Sequence, residues 1–437
     1  MSFLSNLGLK LESLVFSLLI LFIPTQLGKH YWPDFSIVSG IRIDYLSPTF
    51  YVTDLFVILL LVIWILRRFN KFTLKQLFKF KILVLILAFL LVNIYYSQNF
   101  FNGLYHLLKF VEFAFVAYYV TLVIRKEDQI ARLALLLSCG VIFESLLAIV
   151  QFIKQGSIGG IFYLLGERTF DPLTPGIANA SLSGELILRP YATFSHPNVL
   201  SGFLLLAMIF GFFTLSLQKN YWQKKVIQLS LFVGTAALIL TLSRVSILLW
   251  FTLLLIIFVS QLKKLKKSFL LFTFLLAVGG MLVFGQSSLA NRFLATRLTE
   301  EAVVQREVLM KASVALIAKH SLTGVGLGNF IPSLAVVQKP LSFGLYLQPV
   351  HNIFLLILTE TGLIGFSFWI WFLIKTYRHL ILNIKQLGKN NLGYFAAFVL
   401  TTVLLMLGLF DHYFLTLQQG QLLLALILGL SWTTIKG

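Results

Sequence analysis

Apolar runs of membrane length recur along the whole chain, separated by short polar stretches. A helix needs roughly 20 mostly apolar residues to span a bilayer, with about 17 tolerated. Such runs fall at 11–28, 50–66, 82–98, 102–124, 130–153, 198–217, 226–242, 245–261, 268–284, 352–374, 393–410 and 417–434. They predict an all-α fold, a polytopic transmembrane helix bundle of about 12 spans. One run tests the count. Residues 226–259 are apolar almost throughout. A single helix of that length would measure about 51 Å, against a hydrocarbon core of about 30 Å. The polar break is Thr241-Leu242-Ser243-Arg244-Val245-Ser246. The chain therefore turns there, with Arg244 at the hairpin or just inside it.

Two longer stretches separate spans. Residues 154–197 carry Gly156, Gly159, Gly160, Pro172, Pro175 and Gly176 and read as irregular. Residues 285–351, between spans 9 and 10, contain a helical stretch at 299–320. Thr299 is placed to cap it, and Glu300 and Glu301 fall in its first turn. Val304, Val308, Ala312 and Ala315 form its expected apolar stripe. Such a helix lies along the membrane surface or roofs a cavity. No internal repeat is visible, and the long loops follow spans 5 and 9 rather than the midpoint. This argues against a carrier built from two six-span halves. Residues 1–437 thus read as a single integral membrane domain with two extracytoplasmic loops.

Composition agrees. The chain is 58% hydrophobic and 12% charged, where a soluble protein carries about 25% charge. A net charge of +19 would point to nucleic acid in a soluble protein. Here the cations gather in alternate loops. Arg67, Arg68, Lys71, Lys75, Lys79 and Lys81 follow span 2, and Arg125, Lys126 and Arg132 follow span 4. Lys219, Lys224 and Lys225 come next, then Lys263, Lys264, Lys266 and Lys267, then Lys375, Arg378, Lys385 and Lys389. That is the positive-inside pattern. It requires both termini to be cytoplasmic and the span count to be even. Residues 11–28 lack a clear cleavage site and read as a retained span. The lone Cys139, in an apolar run, excludes a disulfide framework and a cysteine metal site.

No Gly-x-x-x-x-Gly-Lys phosphate loop is present, so ATP-driven work is not expected. There is no Asp-x-Asp pair to clamp a metal on a nucleotide-sugar, and no two histidines stand at i, i+4. The expectation is a site with no metal and no cofactor. Three basic residues fall on the side opposite the loop lysines: Arg189, Arg244 and His351. Arg168, Arg292, Arg297 and Lys339 lie on that side too, but long loops cross largely regardless of charge. Local motif must therefore carry the argument. Arg189-Pro-Tyr-Ala-Thr-Phe-Ser-His-Pro-Asn198 leads into span 6; Ser243-Arg244 sits at the hairpin; Gly324-Val-Gly-Leu-Gly-Asn329 precedes His351-Asn352, nine residues and Gly362-Leu-Ile-Gly365.

At these residues the chain resembles the O-antigen ligase and polymerase family of bacterial membrane glycosyltransferases. The His-Asn-x9-Gly-x-x-Gly element matches the family's ligase signature in full, and the resemblance is best from about 185 to 370. It implies transfer of a preassembled glycan from an undecaprenyl diphosphate carrier to an acceptor on the outer face of the bacterial cytoplasmic membrane. By that resemblance Arg189 and Arg244 bind the diphosphate and His351 sits at the reaction centre. The chemistry agrees: guanidinium forks stabilise the charge that grows on a diphosphate leaving group, and a neutral imidazole is a suitable base for an acceptor hydroxyl. Attack opposite the leaving group inverts the anomeric centre. The same donor chemistry serves an O-antigen-type polymerase. A transporter or flippase of lipid-linked sugars is the reading from another class.

Each site residue has a plainer reading. Arg244 could snorkel to headgroups, Arg189 could face water, and His351 could bond within the loop at a helix entry. Asn352, Arg306, His196 and Asn198 are candidates to support the three. Asn352 caps span 10 or orients the imidazole. Arg306 adds a third cation or faces headgroups. His196-Pro-Asn198 is a turn and cap into span 6. Glu360, nine residues from His351, would lie on the opposite helical face about 13.5 Å away and more naturally meets another helix. Gly362 and Gly365 are expected to permit close helix packing. Lys109 and Glu112 read as a self-satisfied pair. Glu144 has no evident partner, and Asp411-His412 is either an interface pair or part of the site's support.

Overall fold

The computed structural model describes residues 2–38, 40–68, 81–182, 185–260, 301–337, 346–387 and 392–434. Helices dominate. In chain order they are α1 (Ser2–Leu21), α2 (Val52–Arg68), α3 (Lys81–Tyr95), α4 (Phe100–Val123), α5 (Glu127–Lys154) and the short α6 (Ile161–Leu164). Then follow α7 (Pro197–Thr214), α8 (Tyr221–Leu240), α9 (Arg244–Ser260), α10 (Glu301–Lys319) and α11 (Phe330–Val337). The last are α12 (Ile353–Leu387), α13 (Leu392–Gly408), the short α14 (Tyr413–Thr416) and α15 (Gln418–Ser431). Among the described residues, five helices (α4, α5, α7, α8 and α12) are long and apolar enough to cross a membrane, and α3, α9, α13 and α15 are shorter apolar helices. The protein is a multi-pass membrane protein. Every expected span on described residues has a helix at its place; the span at 268–284 and the cap at Thr299 lie outside them.

The 226–259 run does break where its polar residues fall. α8 ends at Leu240 and α9 starts at Arg244. Leu242 takes a left-handed φ of 52° in the turn.

α7 is the axis of the bundle. Nearly all its side chains are buried, and α5, α8, α9, α13 and α15 pack against it. Small residues set the approach distances. A Cβ on Gly140 of α5 would press on Phe203, and one on Gly202 would strike the Tyr413 hydroxyl. In a bilayer, where lipid tails are as apolar as leucine, such close packing is a main source of helix association. A charged knot adds to it. Lys109 Nζ of α4 lies 2.6 Å from Asp54 Oδ2 of α2, 3.1 Å from Glu112 and 3.2 Å from Gln418 Oε1 of α15. The Lys109–Glu112 pair exists, but the closer partner is Asp54, 55 residues away.

A second apolar cluster roofs one end. Leu309 and Leu316 of α10 pack with Phe330 and Leu334 of α11, Leu356 of α12, and Ile43 and Leu46 of the segment between α1 and α2. That segment holds two small antiparallel pairs, β1 (Gly28–His30) with β4 (Thr49–Tyr51) and β2 (Ile37–Val38) with β3 (Ile41–Arg42). A third pair, β5 (Asn179–Leu182) with β6 (Glu185–Leu188), lies between α6 and α7. The stripe of α10 is rotated from the expected one. Val304 and Ala315 are exposed, while Leu309, Ala312, Ser313 and Leu316 are buried. Ser313 Oγ meets Thr359 Oγ1 of α12 at 2.6 Å, so a polar pair rather than the valines selects the face.

Gly365 permits close helix packing, as expected, since a Cβ there would press on Phe89 of α3; Gly362 does more. α12 is broken at Gly362, with φ 63° and ψ −169°, a region essentially reserved for glycine. The Gly-rich segment feeds the break: Val325 N–H donates to Thr359 O at 2.9 Å, Gly326 N–H to Glu360 O at 2.9 Å, and Leu363 N–H to Ser321 O at 2.8 Å. A Cβ on Gly362 would collide with the Leu322 carbonyl. Gly362→Ala should therefore cost the roughly 1–3 kcal/mol of such backbone strain plus the clash, read as a lower melting temperature in detergent. Gly159→Ala, at φ 81° with open space around it, should cost the strain alone; equal losses would discount the clash.

Candidate functional site

The site begins with a loop. Residues 188–198 join β6 to α7 through the bundle interior, where unpaired backbone groups are costly. One face of α5 and its C-cap supply partners. Gln155 Oε1 accepts from Leu188 N–H at 2.8 Å. Gln151 Oε1 accepts from Tyr191 and Ala192 N–H at 3.0 and 2.7 Å, and its amide donates to Ala192 O at 3.1 Å. Glu144 accepts from Thr193 N–H at 3.1 Å and from Thr193 Oγ1 at 2.9 Å. Positions 144 and 151 lie within about 20° of one another around a helix, and Gln155 is the left-handed C-cap of α5, φ 56°. Ala192 is held at φ 49°.

The loop then delivers Arg189, which is 9% exposed. Its Nε donates to Thr241 O at 2.7 Å, in the turn that leads to Arg244. Its Nη2 donates to Asn198 Oδ1 at 2.7 Å. Both acceptors are neutral, so these bonds orient the guanidinium without cancelling its charge. The Asn198 amide in turn donates to Asp411 Oδ2 at 3.1 Å. His196 caps α7, its Nδ1 accepting from Asn198 N–H at 3.1 Å, as the turn-and-cap expectation required.

Asp411 and His412 come from the α13–α14 corner. The His412 and His351 rings stand 5.0 Å apart, tilted by 33°. Asp411 Oδ1 accepts from His412 N–H at 2.8 Å. His351 Nδ1 is buried and has no hydrogen-bond partner among the described residues. Asn352 does not orient the imidazole. Its Oδ1 accepts from Phe354 and Leu355 N–H at 2.9 and 3.0 Å, capping α12, and its amide donates to Leu409 O at 3.2 Å. Glu360 accepts from Phe330 N–H at 3.4 Å, far from any role beside His351.

Arg189, Arg244, Arg306, His196, Asn198, His351, Asp411 and His412 all line one cavity of about 1580 Å³. Every expected site residue except Asn352 is among its walls. Arg306 is exposed on α10 and reaches it from the roof.

Electrostatics favour neutral imidazoles. Burial lowers the His351 pKa below its ordinary 6.5; Asp411 pulls it back up and Arg306 pushes it down. Burial, then Arg189, drives His196 down to about 3. Burial drives His412 to about 3 against the pull of Asp411. For Asp411 burial acts upward, yet the three histidines and the Asn198 bond outweigh it and hold the carboxyl below 3.8. Near pH 7 this part of the wall therefore carries guanidinium cations, the Asp411 carboxylate and imidazoles able to accept a proton, with Asp44 and Glu167 elsewhere on the lining.

Residues 229–370 match the family model described as O-antigen ligase. That match, over less than half of the 437 residues, supports a relationship to the O-antigen ligase family. The matched stretch runs from α8 into α12 and holds Arg244, Arg306 and His351, the Gly-rich segment and the break at Gly362. Arg189, Asn198, Asp411 and His412 lie outside it. No curated protein matches the chain. Asp411, His412 and the polar residues of α5 are what sequence reading left open or missed. Glu144 and Gln151, at helical spacing, were the available signal for the last.

Glu144→Leu should leave the Thr193 N–H unsatisfied, while the hydroxyl keeps Pro24 O at 3.1 Å, a loss of about 1–3 kcal/mol for the buried group, measured as a lower melting temperature. Glu144→Gln keeps an acceptor oxygen and should cost less. Equal loss in both would show that the hydrogen bonds are not what Glu144 contributes.

Proposed function

We propose that this protein is a lipid-linked glycan ligase. It transfers a glycan from undecaprenyl diphosphate to an acceptor hydroxyl at the outer face of the bacterial cytoplasmic membrane, inverting the anomeric centre and needing no metal. The observation that carries this reading is that Arg189, Arg244 and His351 line a single cavity. The family match over residues 229–370 supports a lipid-linked glycan as substrate.

Arg189 and Arg244 bind the diphosphate, with Arg306 as a third cation from the roof. Guanidinium groups interact with phosphate oxygens through paired N–H donors. Charge on those oxygens grows as the C1–O bond breaks, so the cations stabilise the transition state more than the ground state. Arg189 is already oriented by Thr241 and Asn198, which limits reorganisation during the step. The acceptor oxygen attacks C1 opposite the diphosphate, and His351 takes its proton. Undecaprenyl diphosphate leaves. Asp411 positions and strengthens His351 as a base by stabilising its protonated form. A positioned base contributes about 10²–10⁴-fold.

In a transfer assay with purified protein and no added metal, His351→Ala should lower kcat by about 10²–10⁴-fold without changing the melting temperature by more than a few degrees. Full activity in the folded variant removes His351 from the mechanism. A glycan ladder on the carrier with no other acceptor would instead mark a polymerase. Translocation without bond formation would mark a transporter.

The pH profile supplies a second test. His351 acts in its neutral form, and its pKa is lowered, so kcat should rise through an acid limb centred below 6.5 and level off above it. Asp411 raises that pKa, so Asp411→Asn should move the limb to still lower pH and reduce the plateau. A limb moving to higher pH would contradict the assigned role of Asp411.

A further inference from the structure

The corner that supports the proposed base also presents metal ligands. His351, Asp411 and His412 each offer one ligand atom, and these atoms lie within 4.8 Å of one another. Tetrahedral zinc with bonds of about 2.0–2.1 Å needs ligand atoms about 3.4 Å apart. Small side-chain rotations can close that gap.

The tautomer of His412 is set by its neighbour. The Thr416 hydroxyl donates to His412 O at 3.2 Å. With that donation made, it accepts from His412 Nδ1–H, 2.7 Å away. The lone pair of His412 is thereby left on Nε2. Metal-binding histidines are commonly oriented by such a bond from the other ring nitrogen. Asp411 is oriented by His412 N–H and Asn198 and keeps lone pairs unused, since a carboxylate has about four acceptor sites. His351 Nδ1, buried and without a hydrogen-bond partner among the described residues, is a polar atom of the kind a bound ion would satisfy. Two imidazoles and a carboxylate on a cavity wall form a three-ligand site with an open fourth position. Imidazole selects zinc and copper over magnesium or calcium.

We propose that His351, Asp411 and His412 form a binding site for Zn²⁺ and that zinc bound there inhibits transfer. The inhibitory part rests on the reading of His351 as the base. Ligation engages the imidazole and places a dication where the acceptor proton must be received. Chelation reverses it.

The test uses the full chain, purified in detergent without a histidine tag and stripped with EDTA. Titration calorimetry with zinc sulfate should show one saturable site. X-ray absorption of the zinc-loaded protein should show two imidazole ligands. His412→Ala should weaken binding by more than about 100-fold, and Thr416→Val, which releases the tautomer, by roughly 10–100-fold. Magnesium should not compete. Zinc should suppress transfer by the wild type, and EDTA should restore it. No saturable binding, binding unchanged in His412→Ala, or stimulation by zinc would each overturn the proposal. The isotherm needs no turnover. If the protein transfers no glycan, the ligase reading and the inhibitory role fail together, while the isotherm still decides the site.

Discussion

Non-helical backbone can enter a membrane bundle only if its polar groups find partners there. The segment 188–198 meets that condition through Gln151 and Glu144 on one face of α5 and Gln155 at its C-cap. The rest of the site follows from it. Once the loop is gripped, Arg189 reaches the α8–α9 turn and binds Thr241 O, which brings it beside the hairpin of Arg244. Asn198, at the start of α7, then faces both Arg189 and Asp411. A loop ordered by one helix thereby connects three others.

The opposite wall depends on a different constraint. The N-terminal end of α12 must leave its axis to meet the roof formed by α10 and α11. Gly362 allows the break, and the backbone of 321–326 fills the exposed hydrogen-bonding positions. His351 lies just before this braced element, with Asn352 capping it. Both walls thus rest on backbone groups that need non-helical partners. Each is satisfied by residues distant in sequence, which makes the cavity a product of the whole bundle.

Charge gives the cavity its character. Arg189, Arg244 and Arg306 line it with imidazoles that burial keeps neutral. Asp411 is placed to raise the basicity of His351 without bonding to the Arg189 side chain, because Asn198 stands between them. Such an amide passes orientation from cation to carboxylate while keeping them from forming a salt bridge.

The sequence by itself determined where helices form, because apolar runs of bilayer length have few alternatives, and it located the turn at 241–246 because one helix could not fit. It marked Arg189, Arg244 and His351 through local motifs. Only the tertiary structure decided their company. Glu144 had no partner within reach along its own helix, and its partner Thr193 is 49 residues away. Lys109 had a neighbour at i+3, yet Asp54 is closer. Asp411 and His412 gained their place beside His351 only when the α13–α14 corner folded against the entry to α12. Gly362 could be read as small, but its left-handed φ is a property of the break it occupies. Hydrophobic length is a local quantity and is written along the chain. The pairing of buried polar groups is a distance in space, set when helices pack.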